Sequence, residues 1–170
     1  MNLEKYNAFI NEQKEYFNQN LQANFKWSWS DSSWYGGTIG SGWLLTRSGK
    51  THFTFGTIRR LKGLENNTIN QVFQEFIKSV LILSYRKSNS KASPQKLYSE
   101  FLILKRWFSA LYTESTDNVH PCQLSTSILN KSFEILVENS SKTNLPDHAG
   151  TYLRLQEMLN HYGITEQPLE

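Results

Sequence analysis

Apolar residues at helical intervals open the chain. Leu3, Tyr6, Phe9, Ile10, Phe17 and Leu21 recur on helical spacing with Lys, Glu, Asn and Gln between them, which predicts an amphipathic helix over 3–21. From Phe25 to Ile58 the pattern turns to aromatic, glycine and threonine residues, the composition of strands and turns. Trp43–Thr46 and Thr51–Phe55 flank Arg47-Ser48-Gly49-Lys50 and predict a β-hairpin. Trp43 and Leu45 would share a face with Phe53 and Phe55, and Gly49 would supply the positive φ of the turn. Trp27, Trp29 and Trp34 suggest a further short strand, with the tryptophans forming a small core rather than a ligand cage.

Residues 61–67 read as a linker, after which helical periodicity returns. Thr68 is positioned to cap a helix to about Tyr85, with Val72, Phe73, Phe76, Ile77, Val80 and Leu81 inward. Beyond the polar loop 86–92, Ser93 and Pro94 start another helix, because proline at the first turn sacrifices a donor that has no partner there. Leu97, Phe101, Leu104, Phe108 and Leu111 form its buried stripe. A helix over 125–139 buries Ile128, Leu129, Ile135 and Leu136. A last one, over 147–162, turns Tyr152, Leu155, Leu159 and Tyr162 inward and stops at Gly163. The pattern therefore predicts an α+β chain that is mainly α. Residues 1–66 form a small N-terminal segment with a helix and an antiparallel hairpin, and 67–170 form a four-helix bundle.

Charge sharpens this picture. Between Arg47 and Arg106 lie twelve Lys or Arg and three acids (Glu65, Glu75, Glu100), a local balance of +9 within a chain of net +3. The remainder is acidic, and such polarisation usually faces a polyanion. The single cysteine, Cys122, leaves no internal disulfide and no cysteine-based zinc site. No apolar run reaches the ~18 to 20 residues of a membrane span, and the first residues carry no secretory pattern. A reduced, cytoplasmic setting is expected.

Little points to catalysis. His52, His120, His148 and His161 have no partner at i+3 or i+4, so no metal site or cofactor is expected. The glycine-dense stretch Gly36–Gly42 precedes a predicted strand rather than a helix N-terminus, so it lacks the geometry of a phosphate cradle. The more specific signal is the start of the Ser93 helix. Arg86, Lys87, Lys91 and Lys96 converge there with the Ser93 hydroxyl and free backbone donors, which suits a DNA phosphate. Lys105 and Arg106, three turns on, would track the backbone further.

Gln71–Lys78, Tyr85-Arg86, the Ser93-Pro94 helix ending Leu104-Lys105-Arg106-Trp107-Phe108, Ile128-Leu129 and Tyr152–Ile164 occur in an order that resembles tyrosine recombinases of the phage integrase family. The likeness covers about 68–170 and is to the helical, SAM-like core-binding domain. It implies a DNA-binding fragment that clamps a core recombination site on double-stranded DNA, alongside other recombinase protomers in a synaptic complex, with no membrane or small-molecule partner. The implied contacts are Arg86, Lys87, Lys91, Ser93, Gln95 and Lys96, with Lys105, Thr151 and Arg154. The family's catalytic His-x-x-Arg is absent from all four histidine contexts. The chain is thus expected to bind DNA without cutting it, with Glu166–Glu170 resembling the linker to a catalytic domain and a bacterial, nucleoid-associated location. A second DNA patch could involve Arg47, Lys50, Arg59, Arg60 and Lys62, while packing or assembly is the other reading of that segment. The alternative function is protein interaction through the aromatic 25–58 stretch.

Overall fold

A helix whose inward positions are already spaced at three and four residues needs only a partner surface, and α1 (Leu3–Tyr16) finds it against α2 and α5. These elements belong to a computed structural model that describes residues 3–21, 28–38, 43–44, 51–55, 71–87, 97–98, 100–105, 107, 120–138 and 145–170. Tyr6, Phe9 and Ile10 are buried as the spacing predicts, whereas Leu3, in the first turn, is exposed. Phe17–Leu21 continue α1 as one π-helical turn.

The second helix, α2 (Gln71–Lys87), is the central element. The run Val80-Leu81-Ile82-Leu83 is buried throughout, and four consecutive apolar residues cover every side of a helix, so α2 is enclosed rather than one-faced. Val72 is the exception to the predicted stripe and reaches solvent. The third helix, α3, described at 97–98, 100–105 and 107, buries Leu97, Phe101, Leu104 and Trp107. Its Ser93-Pro94 start, Phe108 and Leu111 lie outside the described residues.

Local capping chemistry sets the remaining ends. The Ser125 hydroxyl accepts a hydrogen bond from the Ile128 amide at 3.2 Å and starts α4 (Thr126–Glu138). In α4, Leu129 is buried and Ile128 half-buried. The last helix, α5 (Leu145–Tyr162), ends at Gly163 with φ +62°. Gly163 N–H bonds Asn160 O and Ile164 N–H bonds Leu159 O, the paired pattern of a Schellman motif. A Cβ at position 163 would also sit 3.1 Å from the Lys5 side chain. Gly163→Ala is expected to lower stability by about 1 to 2 kcal/mol through the left-handed conformation, read as a shifted urea midpoint with unchanged slope.

The β region departs from the predicted hairpin. β1 (Ser33–Thr38), β2 (Trp43–Leu44) and β3 (Thr51–Thr54) form a three-stranded sheet in the order β2-β1-β3. β1 pairs antiparallel with both others, Gly37 and Thr38 facing Leu44 and Trp43, and Ser33–Gly36 facing Thr54–Thr51. The strands predicted to pair with each other therefore both pair with β1. This arrangement places Trp34 opposite Phe53, both wholly buried, and brings Phe55 edge-on to Trp34 at 5.0 Å. Burial of large aromatic surface outweighs the shorter connection of a hairpin. Gly36 and Gly37 of the glycine-dense stretch lie in β1 itself rather than ahead of a strand, while Gly49 lies outside the described residues.

One core joins most of the described elements. Phe17 of the π turn stacks on Trp34 (centroids 4.9 Å, planes 6° apart), and Phe53 and Phe55 meet Phe101 of α3 at 5.3 and 5.5 Å. Described residues from both predicted parts, 1–66 and 67–170, thus belong to one hydrophobic cluster. The fold is α+β and mainly helical. No described helix is long and apolar enough to cross a membrane. The stretch Glu166–Glu170, expected as a linker to a catalytic domain, is docked as well. Asn160 clasps the Leu169 main chain with two bonds of 2.8 and 2.7 Å, the Glu170 amide bonds the Thr126 hydroxyl, and Leu169 is buried.

Candidate nucleic-acid interface

Arg86 and Lys87 close α2, where cations complement the helix dipole, yet they point to different places. Arg86 donates to Gln13 Oε1 at 3.0 Å, lies 3.7 Å from Glu12 Oε1, and sits 4.6 Å over the Tyr16 ring. Its guanidinium staples α2 to α1, which corrects its assignment as a free phosphate ligand. Lys87 is exposed.

Lys87 shares a groove with residues far away in sequence. Its floor is Val80, Leu83, Leu104, Leu155 and Met158, and its rim carries Ser84, Lys87, Glu100, Thr151, Arg154 and Glu157. The groove encloses about 70 Å³, room for a few waters or a small side chain. Arg154 is exposed and donates to the Thr151 hydroxyl at 3.2 Å. Thr151 itself is 2% exposed, so it orients Arg154 and is no DNA contact. Three of the predicted residues, Lys87, Thr151 and Arg154, are thereby brought together by α2 and α5. Two carboxylates, Glu100 and Glu157, lie among them, and Glu100 accepts from Ser84 Oγ at 2.9 Å. The rim is electrically balanced, which weakens its pull on a polyanion.

Lys105 corrects a further expectation. It is 5% exposed, and its ammonium donates to Thr54 O at 2.9 Å and Thr54 Oγ1 at 3.2 Å, 5.1 Å from the Phe101 ring. Burial lowers its pKa to about 8. Lys78 makes the same kind of contact, which the sequence reading does not include. Its ammonium donates to Trp29 O and Asp31 O at 2.5 and 2.7 Å and lies 4.9 Å from the Phe55 ring. Desolvation lowers its pKa to about 8, against the opposing pull of Glu75 and Asp31. A signal exists: Lys78 stands four residues before Ile82, on a helix whose apolar run leaves no wet face. Of the four described cations in the basic sector, Lys78, Arg86, Lys87 and Lys105, two are therefore internal. Lys91, Ser93, Gln95, Lys96 and Arg106 lie outside the described residues, as do Arg47, Lys50, Arg59, Arg60 and Lys62.

Among the described residues no group of three or more His, Cys, Asp or Glu is placed to hold a metal ion. The titratable groups around His120 serve structure. His120 Nδ1 accepts from the Cys122 amide at 3.0 Å, Gln123 Oε1 accepts from the His120 amide at 2.9 Å, and the His120 ring meets Tyr6 edge-on at 4.5 Å. Burial lowers the His120 pKa and raises that of the Cys122 thiol. A depressed histidine means the unfolded chain binds the proton more tightly, so stability falls as pH drops from about 6.5. His120→Asn keeps a capping acceptor without the titration. Its thermal midpoint is expected to lose the part of the acid decline that the wild type shows between pH 7 and 5.

No family model, curated protein or solved structure matches this chain.

Proposed function

We propose that the chain is a DNA-binding module, the core-binding part of a tyrosine recombinase, that grips duplex phosphates around the connection between α2 and α3. What supports this reading is the polarised charge, +9 over 47–106 against an acidic remainder. The exposed Lys87 and Arg154 on one groove mark where that surface would begin. Lys91, Ser93, Gln95 and Lys96 extend it in sequence from Lys87. Lysine and arginine at such positions act through counterion release, which carries affinity but little sequence information. The protein-interaction alternative loses two of its rings, since Trp29 and Trp34 are buried.

Titration of a labelled duplex at several salt concentrations tests the proposal. Affinity is expected to fall steeply with salt. Lys87→Ala, Arg154→Ala and Lys96→Ala are each expected to reduce the log–log slope by about one unit. Lys105→Met, provided it folds, is expected to leave the slope unchanged. Absence of duplex binding at low salt, or slopes untouched by all three substitutions, would overturn the reading.

A further inference from the structure

We propose that the groove between α2, α3 and α5 is a receptor for a free aliphatic amino acid in its zwitterionic form, of the size of leucine or methionine. The floor supplies the side-chain site. Val80, Leu83, Leu104, Leu155 and Met158 are all buried and aliphatic, and the groove encloses about 70 Å³. That is the room of a few waters, which an aliphatic side chain fills and an indole exceeds. Met158 adds an adaptable wall that accepts branched or straight chains. An apolar floor with a few placed polar groups is the usual anatomy of a small-ligand site.

Charge selects the ligand. Two rim groups of opposite sign are each fixed by a hydroxyl. Glu100 of α3 accepts from Ser84 of α2, and Arg154 donates to Thr151 one turn earlier on α5. Arg154 uses one N–H in that bond, and the rest of its planar fork is matched to a carboxylate. Glu100 keeps a second carboxylate oxygen, which suits an ammonium. Lys87 and Glu157, both exposed, repeat the two signs on the same rim. Among the described residues no ion pair joins these cations to these carboxylates. Both signs therefore face the groove together. A leucine inside a partner chain would arrive between neutral amides and leave the two signs unanswered. An α-amino acid carries carboxylate, ammonium and side chain on one carbon, so it meets floor and rim at once. The site does not rest on the DNA reading, and its test contains no nucleic acid.

Methyl NMR of the full chain, followed at Met158 during titration with L-leucine, tests this. Saturable shifts confined to the groove are expected with L-leucine and L-methionine. Isocaproate, which lacks the ammonium, and isoamylamine, which lacks the carboxylate, are each expected to bind at least about tenfold more weakly. Glu100→Gln is expected to weaken leucine by about tenfold without weakening isocaproate. Arg154→Ala is expected to weaken leucine by about tenfold without weakening isoamylamine. The same spectra show whether each variant is folded, and the ligand series on the unaltered chain stands without them. Absence of a saturable shift up to about 10 mM leucine, beyond the range of a weak small-ligand site, overturns the proposal. Analogues that bind as tightly as leucine overturn it as well. Equal binding of leucine and N-acetyl-leucinamide assigns the groove to a leucine within a partner chain and also overturns it.

Discussion

Trp34→Ala is expected to remove about 3 to 5 kcal/mol of stability, a large share of the roughly 5 to 15 kcal/mol that holds a domain folded. Trp34 is wholly buried at the meeting point of four elements. Phe17 stacks on its face, Phe55 and Trp29 approach at 5.0 and 5.8 Å, and Lys78 lies 5.5 Å from its centroid. Its indole N–H donates to Ser28 O at 3.2 Å, so truncation also leaves a carbonyl without that donor. Alanine cannot refill the space without moving β1, because the surrounding rings are large and rigid. Circular dichroism during urea unfolding reads the loss. Leu153→Ala, at a position 56% exposed, serves as the control and is expected within about 0.5 kcal/mol of wild type. A Trp34→Ala chain as stable as that control would mean that the aromatic cluster is not the keystone of the fold.

Raising the pH is expected to stabilise this protein. Lys78 and Lys105 have folded-state pKa values of about 8 against 10.5 for an exposed lysine. Between those values the unfolded chain binds more protons than the folded one, and the linkage relation makes stability rise with pH there. The gain is absent below pH 8 and complete above 10.5. A tenfold difference in proton affinity is worth about 1.4 kcal/mol, so one lysine supplies at most about 3 kcal/mol. Tyr6 opposes the trend at the upper end, since burial first, then Glu75, hold its phenol protonated well above the usual range. An unfolded chain that ionises this tyrosine near 10 gains relative to the fold. The clean window is therefore about pH 7.5 to 9.5. Urea midpoints measured across it are expected to climb in the wild type and to stay level in the Lys78→Met, Lys105→Met chain. A wild-type midpoint that declines across the same window contradicts the burial of charge described here.

Local chemistry carries most of the helical architecture. Tyr6, Phe9 and Ile10, then Phe73, Phe76, Ile77, Val80 and Leu81, and Leu155 with Leu159 are recognisable as core from spacing, since a helix sets its faces within a few residues. The same holds for Gly163 as a stop, defined by bonds to neighbours three to five positions away, while the Ser125 cap is a finding of the structure. Exposure of Leu3 and Val72 shows where periodicity overreaches: an apolar residue on the right interval is buried only if a partner covers that turn.

The candidate site is less legible. Arg86 and Lys87 are adjacent, yet one is taken by Gln13, Glu12 and Tyr16 while the other faces water. Nothing within a few residues of Arg86 announces a partner seventy-three positions earlier. Lys105 reads as a cation continuing a basic track, and only the arrival of Thr54 over α3 turns it inward. Thr151 and Arg154 stand one turn apart on α5, but their division into orienter and exposed cation depends on how deeply that helix is seated.

From its order of residues alone this chain determined its described helices, most of their inward faces, the stop at Gly163 and the uneven distribution of charge along its length. All of these follow from interactions between near neighbours. Tertiary structure decided the strand order β2-β1-β3, the single core spanning both halves, the docking of residues 164–170, and which lysines are internal. Those outcomes depend on which surfaces meet. Large aromatic rings and buried ammonium groups take their positions from contacts between segments far apart in the chain.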